Sequence, residues 1–169
     1  MTLIVEDGSL VPGAESYCSV ADADAYHAGR ANSAWAALDT PTKEANLRKA
    51  TEYMVGMYRP RWKGLRSILT QTLDWPRYNV QLEDVGFGCI AAYVLPNTVP
   101  AEVKNACAAL ALTANGGDLA PNITRVVKQK TIGPITTIYQ DGAPTYTQYR
   151  AIDLMLRPYL EPKLQMVRA

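Results

Sequence analysis

Between Val99 and Asn115 the sequence runs VPAEVKNACAALALTAN, and no polar side chain interrupts it from Ala106 to Leu112. A helix that is apolar most of the way round has to be enclosed by other elements. Pro100 suits the first turn, where a missing N–H costs nothing. Glu102 in that turn complements the helix dipole. Val103, Ala106, Leu110 and Ala114 share one face at helical spacing, and the many alanines let neighbouring backbones approach closely. Asn115-Gly116-Gly117 supplies the stop. The stretch therefore predicts the central helix of a small bundle, and it carries no chemistry of its own.

The remaining segments are read around that helix. Residues 1–18 read as an extended arm, with a β-prone Leu3-Ile4-Val5 and turn signals at Asp7-Gly8 and Pro12-Gly13. Ser19 with Asp22 forms a capping pattern for a helix running to Gly29. Ala34 to Leu38 predicts a short helical turn that plugs Trp35 and Leu38 into the core. Thr40-Pro41 opens an amphipathic helix with Leu47, Ala50 and Met54 inward, ending before Pro60. Residues 59–97 hold Pro60, Gly64, Pro76, Gly86, Gly88 and Pro96 and predict a long loop, with a short helical or extended piece around Ile68 to Leu73 and a fixed turn at Leu73-Asp74-Trp75-Pro76-Arg77. From Ile123 to Tyr139 the period changes to two, with β-branched residues broken by Gly133-Pro134, which predicts a hairpin or bent ribbon. Asp141-Gly142-Ala143-Pro144 is a turn, and Gln148 to Leu156 a last helix before Pro158 and Pro162. The expected fold class is mainly α. It is a small helical bundle with a β-ribbon excursion and extended N- and C-terminal arms, in one domain over residues 1–169. Within it, 1–18 is the arm, 19–122 the bundle with its 59–97 loop, 123–140 the ribbon, and 146–169 the C-terminal helix and tail. Trp35, Leu47, Met54, Trp75, Val103, Ala106, Leu110 and Ile152 are the expected core.

At 169 residues the chain buries roughly 70% of its unfolded surface without needing disulfides or metal. The three cysteines, Cys18, Cys89 and Cys107, are widely spaced and fit a reducing compartment. The first residues lack the basic start and apolar run of a signal peptide. No apolar stretch approaches the ~20 residues of a membrane helix, so no membrane partner is expected. His27 is the single histidine, and nothing places an orienting partner or a reacting group beside it. No metal spacing, phosphate loop or catalytic constellation emerges, so catalytic, metal-ligating and cofactor-binding residues are all expected to be absent.

Charge is segregated. Residues 1–29 hold five carboxylates and no Lys or Arg, whereas the whole chain is at +1. The densest basic segment is Arg59, Arg61, Lys63 and Arg66, interleaved with Tyr58 and Trp62, with no acid between Glu52 and Asp74. Three uses stay open for it: phosphate contact with aromatic stacking on single-stranded nucleic acid, pairing with acids of a neighbouring protein, or simple solvation. Ten tyrosines against one phenylalanine also suit half-wet interface positions.

The segments LIVEDGSLVPGAESYCSVADADAYHAGR, NSAWAAL, LRKATEYM, LDWPR, VPAEVKNACAALAL, VKQKTIGPI and AIDLMLRPYL occur in this order. As an ordered set they resemble the head–tail connector (adaptor) proteins of tailed phages, in the group labelled DnaT-like single-stranded-DNA-binding proteins. The resemblance covers nearly the whole chain and is weakest over Gln81 to Ala92 and after Leu160. It implies a non-catalytic structural protein of the virion neck, assembled in the host cytoplasm, with no cofactor. The partners it implies are copies of the chain itself in a ring of twelve, the portal protein, a downstream neck or tail-completion protein, and double-stranded DNA passing without sequence specificity. On that basis Arg59, Arg61, Trp62, Lys63 and Arg66 are candidates for a subunit interface or for the wall of the DNA channel. Leu156, Arg157, Tyr159 and Leu160 are candidates for portal docking, and the 125–139 ribbon for packing across subunits. The alternative is a single-stranded-DNA-binding module using the basic aromatic loop 58–66.

Overall fold

The computed structural model describes residues 2–87, 90–122, 129–138 and 147–162. Cys89, residues 123–128 and 139 of the expected Ile123–Tyr139 ribbon, the Asp141–Pro144 turn and the tail from Lys163 onward lie outside these residues. Among the described residues the chain forms five α-helices and three two-stranded antiparallel ribbons. The architecture is thus mixed α and β, with more strand than a mainly helical bundle.

Helix α4 (Ala101–Ala114) is the hub, packed against α1 (Val20–Ala28), α3 (Thr40–Tyr58) and α5 (Arg150–Leu156). Its Val103, Ala106, Cys107, Ala108, Leu110, Ala111 and Ala114 are all buried, so the apolar run is covered on more than one side. Pro100 serves as the N-cap residue, in extended geometry, rather than as the first helical residue. Helix α1 is capped as its pattern predicts, with Ser19 Oγ accepting from the Asp22 amide at 3.0 Å. Helix α3 is capped one residue earlier than Thr40: the Asp39 carboxylate accepts from the Thr42 amide. The short α2 (Ser33–Ala36) buries Trp35. Trp35, Leu47, Met54, Trp75, Val103, Ala106, Leu110 and Ile152 are all buried.

Two expectations need correction. Residues 2–18 are not a free extended arm. Ala14, Tyr17 and Cys18 are buried in the core, and the Glu6 carboxylate, itself 2% exposed, accepts from the amides of Gly8, Leu10 and Val11. One buried carboxylate satisfying three backbone donors folds the segment into a compact loop. Residues 59–97 are likewise not simply a loop. Strands β1 (Leu65–Arg66) and β2 (Arg77–Tyr78) form one ribbon, and β3 (Gln81–Phe87) and β4 (Ile90–Tyr93) another. These strands are too short, and β3 too irregular in register, for a period-two pattern to mark them in the sequence. The third ribbon pairs β5 (Gln129–Ile132) with β6 (Ile135–Ile138) about Gly133-Pro134, where Gly133 has φ +59°.

Candidate functional site

The basic segment begins where α3 ends. Pro60 turns the chain into a 3₁₀ turn over Arg59–Arg61, and Trp62 then makes an antiparallel bridge to Leu160. Gly64 has φ +67°, and a Cβ there would lie 2.3 Å from the Tyr78 carbonyl oxygen, so β2 can lie against this turn only because the residue is glycine. The chain then enters β1. Every basic side chain from 59 to 66 thereby faces a partner within the same molecule.

Arg59 Nε donates to Asp74 Oδ1 at 2.8 Å, where Asp74 is wholly buried and the Arg59 side chain is 49% exposed. Arg61 lies 3.9 Å from the Asp153 carboxylate, which also accepts from the Tyr58 hydroxyl at 3.0 Å. Lys63 Nζ donates to Glu83 Oε1 at 2.6 Å, a bond that holds the Glu83 carboxyl below its ordinary pKa. Arg66 donates to the Gln71 carbonyl. Trp62 is 4% exposed and packs against Tyr58 and Trp75, which in turn meets Tyr159 edge-on. An indole stacked inside the protein offers no face to a base, so Trp62 is corrected from a candidate contact residue to a core residue.

Beneath the segment lies Arg77. It is 6% exposed, and its guanidinium donates to the carbonyls of Lys63 (2.9 Å), Gly64 (2.8 Å) and Asp74 (3.3 Å). Burial lowers its pKa, opposed by attraction from Asp74 and Tyr17. Arg77 and Asp74 flank Trp75-Pro76 and lock the basic segment from below. The sequence marks LDWPR as a turn but not as the counter-charge of the segment. The available signal was that Asp74 is the first acid after Glu52, and so the first in sequence to answer the cations between them.

The C-terminal candidates are corrected in the same way. Leu156, Tyr159 and Leu160 are buried within one copy, while Arg157 is exposed. A 3₁₀ turn over Arg157–Tyr159 folds the chain back, so that the Lys63 amide donates to the Tyr159 carbonyl and the Tyr159 hydroxyl to Glu102. Apolar residues beyond the end of α5 therefore find cover against Trp62 and Trp75 rather than staying available for a partner. A cleft of about 730 Å³ lies alongside, lined by Arg61, Lys63, Arg150 and Arg157 but equally by Glu83, Asp84, Asp153 and Glu161. Equal charge of both signs gives a phosphate chain no net attraction.

His27 is 1% exposed. Its Nε2 lies 3.0 Å from the Ala108 carbonyl and its Nδ1 3.0 Å from the Asn32 amide nitrogen. A carbonyl can only accept, so Nε2 carries the proton and ties α1 to α4, while Nδ1 accepts from Asn32 at the start of α2. Cys107 is buried at hydrogen-bonding distance from Thr51. Among the described residues no three His, Cys, Asp or Glu side chains converge as a metal ion would need, and no helix is long and apolar enough to cross a membrane.

Outward-facing apolar side chains are a separate matter. Leu65, Ile68, Leu69, Tyr78, Val85, Tyr93 and Leu95 are all exposed, and all lie on or beside the β1–β2 and β3–β4 ribbons. A family model described as "Putative DnaT-like ssDNA binding protein" matches residues 1–169. No curated protein and no solved structure matches the chain.

Proposed function

The chain belongs to the DnaT-like single-stranded-DNA-binding protein family; from its ordered resemblance to phage connector proteins and its exposed apolar ribbons, we propose that it is a non-enzymatic structural protein of the tailed-phage neck. In this reading copies form a ring beneath the portal, extend the DNA channel and offer a platform to the next neck or tail protein. The protein is built into the virion at the head–tail junction after assembly in the host cytoplasm. The observation that carries it is the run of exposed apolar side chains on the two ribbons of residues 65–95, beside a basic segment whose cations face partners in their own chain. Apolar area of this kind is what association covers, and a two-stranded ribbon is marginal in water unless something packs on it. The ordered resemblance to connector proteins supplies the ring and the portal. Electron microscopy of the purified chain, alone and mixed with a portal assembly, tests it. Rings, or density capping the portal, are expected; a monomer that ignores the portal overturns it.

Binding of single-stranded DNA is the second reading, and the family description favours it over a neck role. Its local support is the half-exposed Arg59 together with the exposed Arg150 and Arg157. The two readings separate on salt. Phosphate-driven affinity falls steeply as salt rises, whereas assembly through apolar contacts does not.

A further inference from the structure

Between β1 and β2 the chain makes a tight excursion whose tip is Ile68-Leu69. The buried Gln71 side chain accepts from the Ile68 amide at 3.1 Å and donates to the carbonyls of Leu73 (2.8 Å) and Pro76 (3.1 Å). Ser67 Oγ lies 3.3 Å from the Pro76 carbonyl oxygen and 3.4 Å from that of Pro96, which fixes the tip beside the segment leaving β4. Leu65 and Tyr78 stand opposite each other in the β1–β2 register, both exposed, and so share a face. The Val94 amide donates to the Val80 carbonyl, so the second ribbon runs on from the first. Tyr93 at the end of β4 and Leu95 beyond it are exposed there. An apolar side chain held out on a pre-organised loop loses little entropy on docking, which is the property of an interface anchor.

The size of this face says what can cover it. Leu65, Ile68, Leu69, Tyr78, Tyr93 and Leu95 are between 45% and 87% exposed. At about 200 Å² for a whole tyrosine and about 100 Å² for a whole leucine or isoleucine, they leave roughly 450 Å² of apolar area open. A standard interface takes about 800 Å² from each partner, about 60% of it apolar. The six side chains supply nearly all of that apolar share. The face is also uncharged. Residues 67–73, 78–82 and 90–98 hold no Lys, Arg, Asp or Glu, and Arg66 turns its guanidinium to the Gln71 carbonyl. Such a face offers a polyanion or an acidic protein no attraction, and it meets a copy of itself without like-charge repulsion. The other exposed large apolar side chains among the described residues are Ile4, Val85 and Leu154. They stand on three different segments and together expose roughly a third as much area.

We propose that two copies pair through this face about a two-fold axis. A head-to-tail apolar contact needs a second apolar face of similar size, and the described residues hold none. The face of one copy is therefore covered by the same face of another, which is the isologous arrangement. The inference rests on the reading that copies associate, and goes beyond it in fixing the symmetry of the apolar contact. A ring joins copies through two different faces, so the pair is a contact separate from the ring's own.

The test is sedimentation velocity of the full chain over a range of concentrations, with wild type, Leu69→Asp and Tyr93→Asp. Both changes are at exposed positions, and thermal melts verify that the variants stay folded. The wild type is expected to show a species of two copies. Each variant is expected to pair about a hundredfold more weakly with itself and about tenfold more weakly with fluorescently labelled wild type. A two-fold contact holds the altered position twice in the first case and once in the second. A variant that joins excess wild type at full strength is using an intact opposite face; that result overturns the two-fold pair and leaves the assembly reading standing. Variants that pair with themselves like the wild type overturn the placement of the contact on this face. A wild type with no two-copy species at any concentration overturns the pair as well, and the neck reading then stands or falls on the portal mixture alone.

Discussion

Two neighbouring stretches reverse what their composition suggests. Residues 58–66 carry four cations, yet Trp62 and Lys63 are buried and the charges end on Asp74, Asp153, Glu83 and the Gln71 carbonyl. Residues 67–70 carry no charge at all, yet Leu69 is the most exposed large apolar side chain among those described. The difference lies in the partners that later residues bring to each stretch. LDWPR delivers a buried carboxylate and a buried guanidinium under the first, while Gln71 props the second outward. A segment's own letters do not decide which way it faces.

The comparison breaks first at its shared support. Trp75→Ala removes a fully buried indole that contacts Trp62 and Tyr159, and is expected to cost about 3–5 kcal/mol in urea denaturation. Arg77→Met strands the carbonyls of Lys63, Gly64 and Asp74 and is expected to cost about 3 kcal/mol by the same measurement. Gly64→Ala drives a Cβ into the Tyr78 carbonyl at positive φ, for about 2 kcal/mol.

A buried polar post elsewhere sharpens the same contrast through pH. Burial of His27 lowers its pKa from the ordinary 6.5, so the folded state binds that proton less readily than the unfolded chain. Its stabilising contribution is present above pH 6.5 and declines as pH falls below that value. Asp24 opposes the shift, while Arg30 and Lys43 reinforce it. His27→Gln is expected to remove that part of the slope in denaturation curves taken from neutral to mildly acidic pH. Smallest of all, Leu69→Asp should leave stability within about 0.5 kcal/mol, since the side chain is solvent-exposed.

Much of the helical frame was legible. The apolar run at α4, the Ser19 cap of α1 and the helical spacing of Leu47, Ala50 and Met54 all depend on local patterns with strong physical causes. What escaped the sequence depends on long-range partners. Glu6 reads as part of an acidic arm, but its oxygens organise the loop to Val11. Leu160 reads as spare apolar surface, but Trp62, nearly a hundred residues earlier, covers it. In β1 and β2 two residues each carry no recognisable period.

The central claim is that function resides in the outward apolar tip and ribbons rather than in the inward-paired cations. It meets its most direct test in fluorescence anisotropy of a labelled single-stranded oligonucleotide, titrated with the purified chain at low and at moderate salt. The account predicts weak binding with a shallow salt dependence, unchanged by reversing charge at Arg61 and Lys63. Tight binding that falls by orders of magnitude as salt rises, and is lost in those charge-reversal variants, would contradict it.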